Sequence, residues 1–178
     1  MKHSVLLGLS LAACATSAFA QAPAPTPSVG ERSGINSMVG AAPSTQDFVT
    51  QAAVSDMFEI ESSKLAQQKA TKENVKSFAS QMVTDHTKTS QELKSAATGV
   101  QIPADMDSSH KSKLDKLREL NGADFEKQYI SDQQSAHKDA VSLFDRYAKS
   151  GDNAGLKAWA GKTLPALQHH KDMADKLQ

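Results

Sequence analysis

Three histidines of this chain fall inside apolar stripes of helical period. No other feature limits so strongly what the chain can fold into. From Val75 to Leu93 the apolar residues Val75, Phe78, Ala79, Met82, Val83 and Leu93 recur at three- and four-residue steps, and Ala96 and Ala97 extend the face. His86 stands on that face, seven residues after Ala79 and seven before Leu93. The arrangement recurs with His137 among Ile130, Val141 and Phe144. It recurs again with His170 among Leu156, Trp159, Thr163, Leu167, Ala174 and Leu177.

The same periodicity predicts helices over Thr45–Ala70, Lys72–Thr98, Asp124–Lys149 and Asn153–Leu177, with a shorter one over Asp105–Leu120. Gly99 and Asn121-Gly122 read as stops, and Pro165 predicts a kink between Gly161 and itself. No stretch alternates with period two, so the fold class is all-α. Four long helices with one long connection, which carries the extra short helix between helices 2 and 3, make the pattern a ferritin-like four-helix bundle. Counting 100° per residue puts Glu59 on the inner arc of the first helix. At 1.5 Å per residue, Glu59 and His86 differ in height by roughly one turn or less, and His137 and His170 by about 7 Å. One carboxylate and three imidazoles, one from each long helix, are thereby expected near mid-height.

Residues 1–20 read as a signal peptide: a basic start, an apolar run from Val5 to Ala13, and Ala18-Phe19-Ala20 before Gln21. Leu11-Ala12-Ala13-Cys14 gives the alternative of a lipobox with a lipid anchor at Cys14. The first reading sends the protein to the periplasm or outside the cell, the second to the outer membrane as a lipoprotein. Residues 21–44, rich in Pro, Ala, Gly and Ser, read as a flexible linker, and residues 45–178 as one bundle domain. Cleavage after Ala20 removes the single cysteine, and with it any disulfide, thiol nucleophile or thiolate metal site. It also removes one charge, Lys2, from 20 basic and 20 acidic residues, leaving a net charge of −1. That balance gives nucleic acid no electrostatic footing, and the mature chain has no apolar run long enough for a transmembrane helix.

Imidazole nitrogen and carboxylate oxygen suit Zn, Cu, Fe or Mn. The residues three before the histidines are Val83, Gln134 and Leu167, not glutamates. The Glu-x-x-His pairs of di-iron bundles are therefore missing, and a single ion fits better. Glu59, His86, His137 and His170 are the expected ligands, with Asp56, Asp85 and Asp132 behind them. The alternative is that the histidines are hydrogen-bonded core groups of a structural or interaction protein. No nucleophile elbow, phosphate loop or pair of catalytic acids can be placed, so an enzyme has little support. Three imidazoles buried together should mostly be held neutral, whereas an ionised Glu59 would favour a protonated ring.

Several blocks together resemble a known family. They are Met57-Phe58-Glu59-Ile60-Glu61 with Lys64-Leu65-Ala66 and Lys69-Ala70; Val75-Lys76-Ser77-Phe78-Ala79 with Met82-Val83 and Asp85-His86; Phe125, Tyr129, His137 and Leu143-Phe144; and Leu156-Lys157, Thr163-Leu164-Pro165-Ala166-Leu167 and His170. The chain is similar in these to the bacterial domain of unknown function 4142 family, over about Phe48 to Leu177. The resemblance implies an exported, ferritin-like helical domain and no established activity. Glu59, His86, His137 and His170 match its pattern. Ala136 departs from it, since an aspartate is usual before the third-block histidine, and this leaves Asp132 or Gln133 to orient His137.

Overall fold

Helix boundaries follow from local capping chemistry. The computed structural model describes residues 40–177; the leader, Cys14 and most of the linker lie outside them. Helix α1 (Thr45–Lys69) starts at Ser44, whose hydroxyl accepts from the Asp47 amide at 3.1 Å and donates to the Asp47 carboxylate at 2.9 Å. This reciprocal pair satisfies an orphan amide and places a negative charge at the positive end of the helix. Helix α2 (Glu73–Ala96) ends ahead of Gly99, which takes a left-handed φ of 78°. Helix α3 (Ser108–Glu119) is capped by Asp107, and α5 (Ala154–Ala174) by Asn153. Between them runs α4 (Gly122–Ser150). The helix in the long connection is thus present, and the described residues contain no strand. Helix α5 runs unbroken through Pro165. Pro165 and Gly161 are both exposed, so the carbonyl that loses its amide partner stands at the water side.

Helices α1 and α2 form one antiparallel hairpin and α4 and α5 another. Helix α1 packs on α4 and α2 on α5, and α3 lies chiefly against α1. Their apolar faces form two separate clusters. One gathers Phe48, Leu93, Phe144, Tyr147, Leu156 and Trp159 near the start of α1 and the end of α4. The other gathers Phe58, Val75, Phe78, Met82, Leu117, Phe125 and Tyr129 near the α1–α2 turn. The end of α2 belongs to the first cluster and the start of α4 to the second, so the connection carrying α3 runs the length of the bundle. Between the clusters lies a buried polar layer: Asp56, Glu59, Ser62, Ser63, His86, Gln133, His137 and His170.

Residues 41–43, expected from the sequence to belong to the flexible linker, are docked on the bundle. The Arg146 guanidinium donates to the Ala41 carbonyl at 2.7 Å, Ala42 packs on the first cluster, and Pro43 is buried. At the opposite end, buried Glu126 of α4 accepts from the amides of Thr71 and Lys72 at 2.5 and 2.8 Å and from the Thr71 hydroxyl at 2.8 Å. It holds the turn that leads into α2 from another helix. Burial alone would raise its pKa, but these donors and Lys72 outweigh burial and lower it from 4.5. A depressed carboxylate pKa stabilises the fold above the unfolded value, and that contribution is lost as pH falls. Glu126→Gln should therefore lower stability by about 2 kcal/mol at pH 7. Urea unfolding should also show a smaller loss of stability below about pH 4.5 in the variant than in the wild type.

Candidate metal centre

Each of the three core histidines comes from a different helix, because each occupies the inward stripe at the height where the apolar clusters part. His86 (α2), His137 (α4) and His170 (α5) are 2%, 1% and 3% exposed. Their ring centroids form a nearly equilateral triangle with sides of 5.6, 5.5 and 5.5 Å. One donor nitrogen from each ring lies within 4.8 Å of the other two. Tetrahedral zinc with bonds of about 2.1 Å needs nitrogens about 3.4 Å apart, so contraction by at most about 1.4 Å would close the site.

The far side of each ring is anchored. His86 Nδ1 bonds Asp56 Oδ1 at 2.7 Å, His170 Nε2 bonds Asp85 Oδ2 at 2.8 Å, and His137 Nδ1 bonds the Gln133 carbonyl at 2.9 Å. A carbonyl only accepts, so His137 carries its proton on Nδ1 and presents a lone pair at Nε2. The same holds for His86 Nε2 and His170 Nδ1 when the aspartates are ionised and the rings neutral. These three nitrogens are buried and have no hydrogen-bond partner in the protein. Three lone pairs drawn together repel one another unless a cation or proton lies among them. An imidazole whose outer N–H is held by a carboxylate or carbonyl is the usual form of a metal-ligating histidine.

Asp56 is itself fixed by the Thr89 hydroxyl, 3.1 Å from both of its oxygens, and by the Ser90 hydroxyl at 3.1 Å. Asp85 precedes His86 in sequence yet serves His170 on the neighbouring helix, since adjacent helical residues point about 100° apart. Of the candidates for orienting His137, Gln133 does so through its backbone, and Asp132 instead accepts from Gln128 at 2.9 Å. Glu59 is 1% exposed on α1 but does not belong to the set of donors within 4.8 Å of one another. Neither of its oxygens has a well-formed hydrogen bond, although Gln133 lies near enough to pull its pKa down. Thr89, Ser90, Ser62 and Ser63 are polar members of this layer that the apolar stripes did not mark.

Burial raises the Glu59 carboxyl to about 7 against the pull of His86. Burial, then the neighbouring His86 charge, lowers both His137 and His170 to about 4. His86 departs from the expected depression. Burial lowers it too, but the Asp56 hydrogen bond and charge, followed by Glu59 and Asp85, prevail and raise it above 6.5. The linkage signs oppose one another. His137 and His170 withdraw stability as pH falls from 6.5 towards 4, whereas Glu59 withdraws it as pH rises from 4.5 through 7. Glu59→Gln should therefore stabilise the metal-free protein at pH 8 relative to pH 5 by roughly 3 kcal/mol. Thermal unfolding from pH 5 to 8 should show a steeper acid loss in the variant than in the wild type.

No curated protein and no solved structure matches the chain. A family match covers residues 32–177, taking in all five described helices and the four core residues Glu59, His86, His137 and His170. The chain belongs to the family described as Domain of unknown function (DUF4142).

Proposed function

We propose that this protein binds one transition-metal ion in the core of its bundle and serves storage, delivery or stress protection in the bacterial cell envelope. The observation that supports it is three buried histidines that bring one ring nitrogen each within 4.8 Å of the others, every ring anchored through one nitrogen and left without a protein partner at the other. In this reading His86, His137 and His170 hold the ion, Glu59 completes its surroundings, and Asp56 and Asp85 fix the rings. Zn, Cu, Fe and Mn all accept such donors, and imidazole-rich sites favour the first three. In this reading the four long helices form a ferritin-like bundle, supported by the long connection that carries α3 between the two hairpins. Export rests on the leader and its A-x-A site, with anchoring through Cys14 as the alternative. Among the described residues no helix is long and apolar enough to cross a membrane.

A second reading treats the layer as a structural device of an envelope protein. The three donors on Asp56, His86 and the hydroxyls of Thr89 and Ser90, favour it, because they would hold His86 in place with or without an ion. The two readings differ in what loading does. Protein purified without a histidine tag, loaded with Zn or Cu and desalted, should retain about one equivalent. Less than about a tenth would leave only the structural reading. At 100-fold excess of free zinc over Kd the fold should gain about 2.7 kcal/mol, read as a rise in Tm, and His137→Gln should abolish the gain. Asp56→Asn should weaken metal binding about 10- to 100-fold while leaving the stoichiometry at one.

A further inference from the structure

Three ring nitrogens do not exhaust the unpartnered atoms of the polar layer. Both carboxyl oxygens of Glu59 and Oε1 of Gln133 are also buried without a well-formed hydrogen bond, and they belong to side chains that are 1% and 0% exposed. The Gln133 amide nitrogen donates to Ser62 at 3.3 Å and its other N–H acts on Glu59, so its oxygen is the end left over. The Ser63 hydroxyl is bound to Tyr129 at 2.8 Å, and the Ser62 hydroxyl reaches back to the Glu59 carbonyl at 3.4 Å. The layer therefore presents two kinds of atom: nitrogen lone pairs that want a cation, and acceptor oxygens that want hydrogen-bond donors. Glu59 stands outside the close set of donors, yet His86 feels its charge. A carboxylate one ligand removed from a metal would likewise stand outside the close donor set and still act on it by charge, since a metal–oxygen bond of about 2.1 Å followed by a hydrogen bond of about 2.7 Å separates the two.

We propose that Glu59 and Gln133 hold the fourth ligand of the bound ion, and that this ligand is a neutral hydrogen-bond donor, water in the resting protein. The inference rests on the three-histidine reading and adds to it the class of ligand the open position accepts. A water bound to a divalent cation is a strengthened donor, and its two hydrogens would go to the Glu59 carboxylate and Gln133 Oε1. A small anion such as azide would instead meet an ionised carboxylate and an amide oxygen, so Glu59 selects against it by charge.

Cobalt(II) reports the fourth ligand through its visible ligand-field bands, and azide at pH 8 serves as the probe. Wild-type cobalt protein should bind azide at least about tenfold more weakly than Glu59→Gln, whose amide can donate to the anion. Glu59→Ala should show the same direction and stands in if Glu59→Gln does not fold. Copper(II)-loaded wild type exchanged into D2O should show electron spin-echo modulation from deuterons of metal-bound water. Equal azide affinity in wild type and variants overturns the proposal. So does an absence of bound-water deuterons, which would make Glu59 itself the fourth ligand and leave the histidine site standing. Failure of cobalt and copper to bind at all overturns both the proposal and the metal reading beneath it.

Discussion

An imidazole held from one side by a hydrogen bond cannot also turn its other nitrogen away from its neighbours, and the centre of this bundle is built on that constraint three times. Asp56, Asp85 and the Gln133 carbonyl each take a ring N–H. Once those contacts are made, the remaining nitrogens are directed together in a space closed to water. The rings repel, burial disfavours their charge, and the two least supported of them are driven to stay neutral. His86 is the exception because a carboxylate fixed by two hydroxyl side chains stands directly behind it. A protein interior seldom keeps such an arrangement for stability alone, since replacing buried polar groups with packed apolar ones is often neutral or favourable.

The rest of the fold accommodates that layer. Instead of one continuous core, the helices bury two apolar clusters with the polar residues between them. Aromatic stacking fills the first cluster, where the Phe48 and Tyr147 rings lie 3.9 Å apart and nearly parallel. The second is aromatic too, with Phe58, Phe78, Phe125 and Tyr129, the last two nearly parallel at 6.0 Å, and Met82 fills in beside them. Phe78 also meets His137 edge-on at 6.2 Å, so the lower cluster forms the floor of the layer.

Much of this could be read from residue spacing. Helical period placed the four long helices to within three residues at each end, and the stripes identified all three histidines because burial and period coincide at those positions. Glu59 was legible from its arc on α1, but its separation from the close donor set was not, since side-chain reach depends on interhelical distance. The anchoring partners were only half legible. Asp56 and Asp85 could be named as acids near the site, but which ring each would serve depends on how two helices face one another. The Gln133 carbonyl had no side-chain signature, because every residue carries one. Ala136 looked like a gap in the pattern, yet the acid beside His86 bonds a different helix, so an alanine before His137 takes nothing from His137 itself.

The seam between the two hairpins is fastened at three heights. Thr45 meets Tyr147 and Asp152 at one end, Asp85 meets His170 in the middle, and Glu126 grips the amides of Thr71 and Lys72 at the other. None of these clasps depends on the chain being continuous from Ala97 to Asp107. The two hairpins thus hold each other through side chains and not through the connecting strap alone. The central layer is shared property of the two, because His86 lies on one hairpin and His137 and His170 on the other.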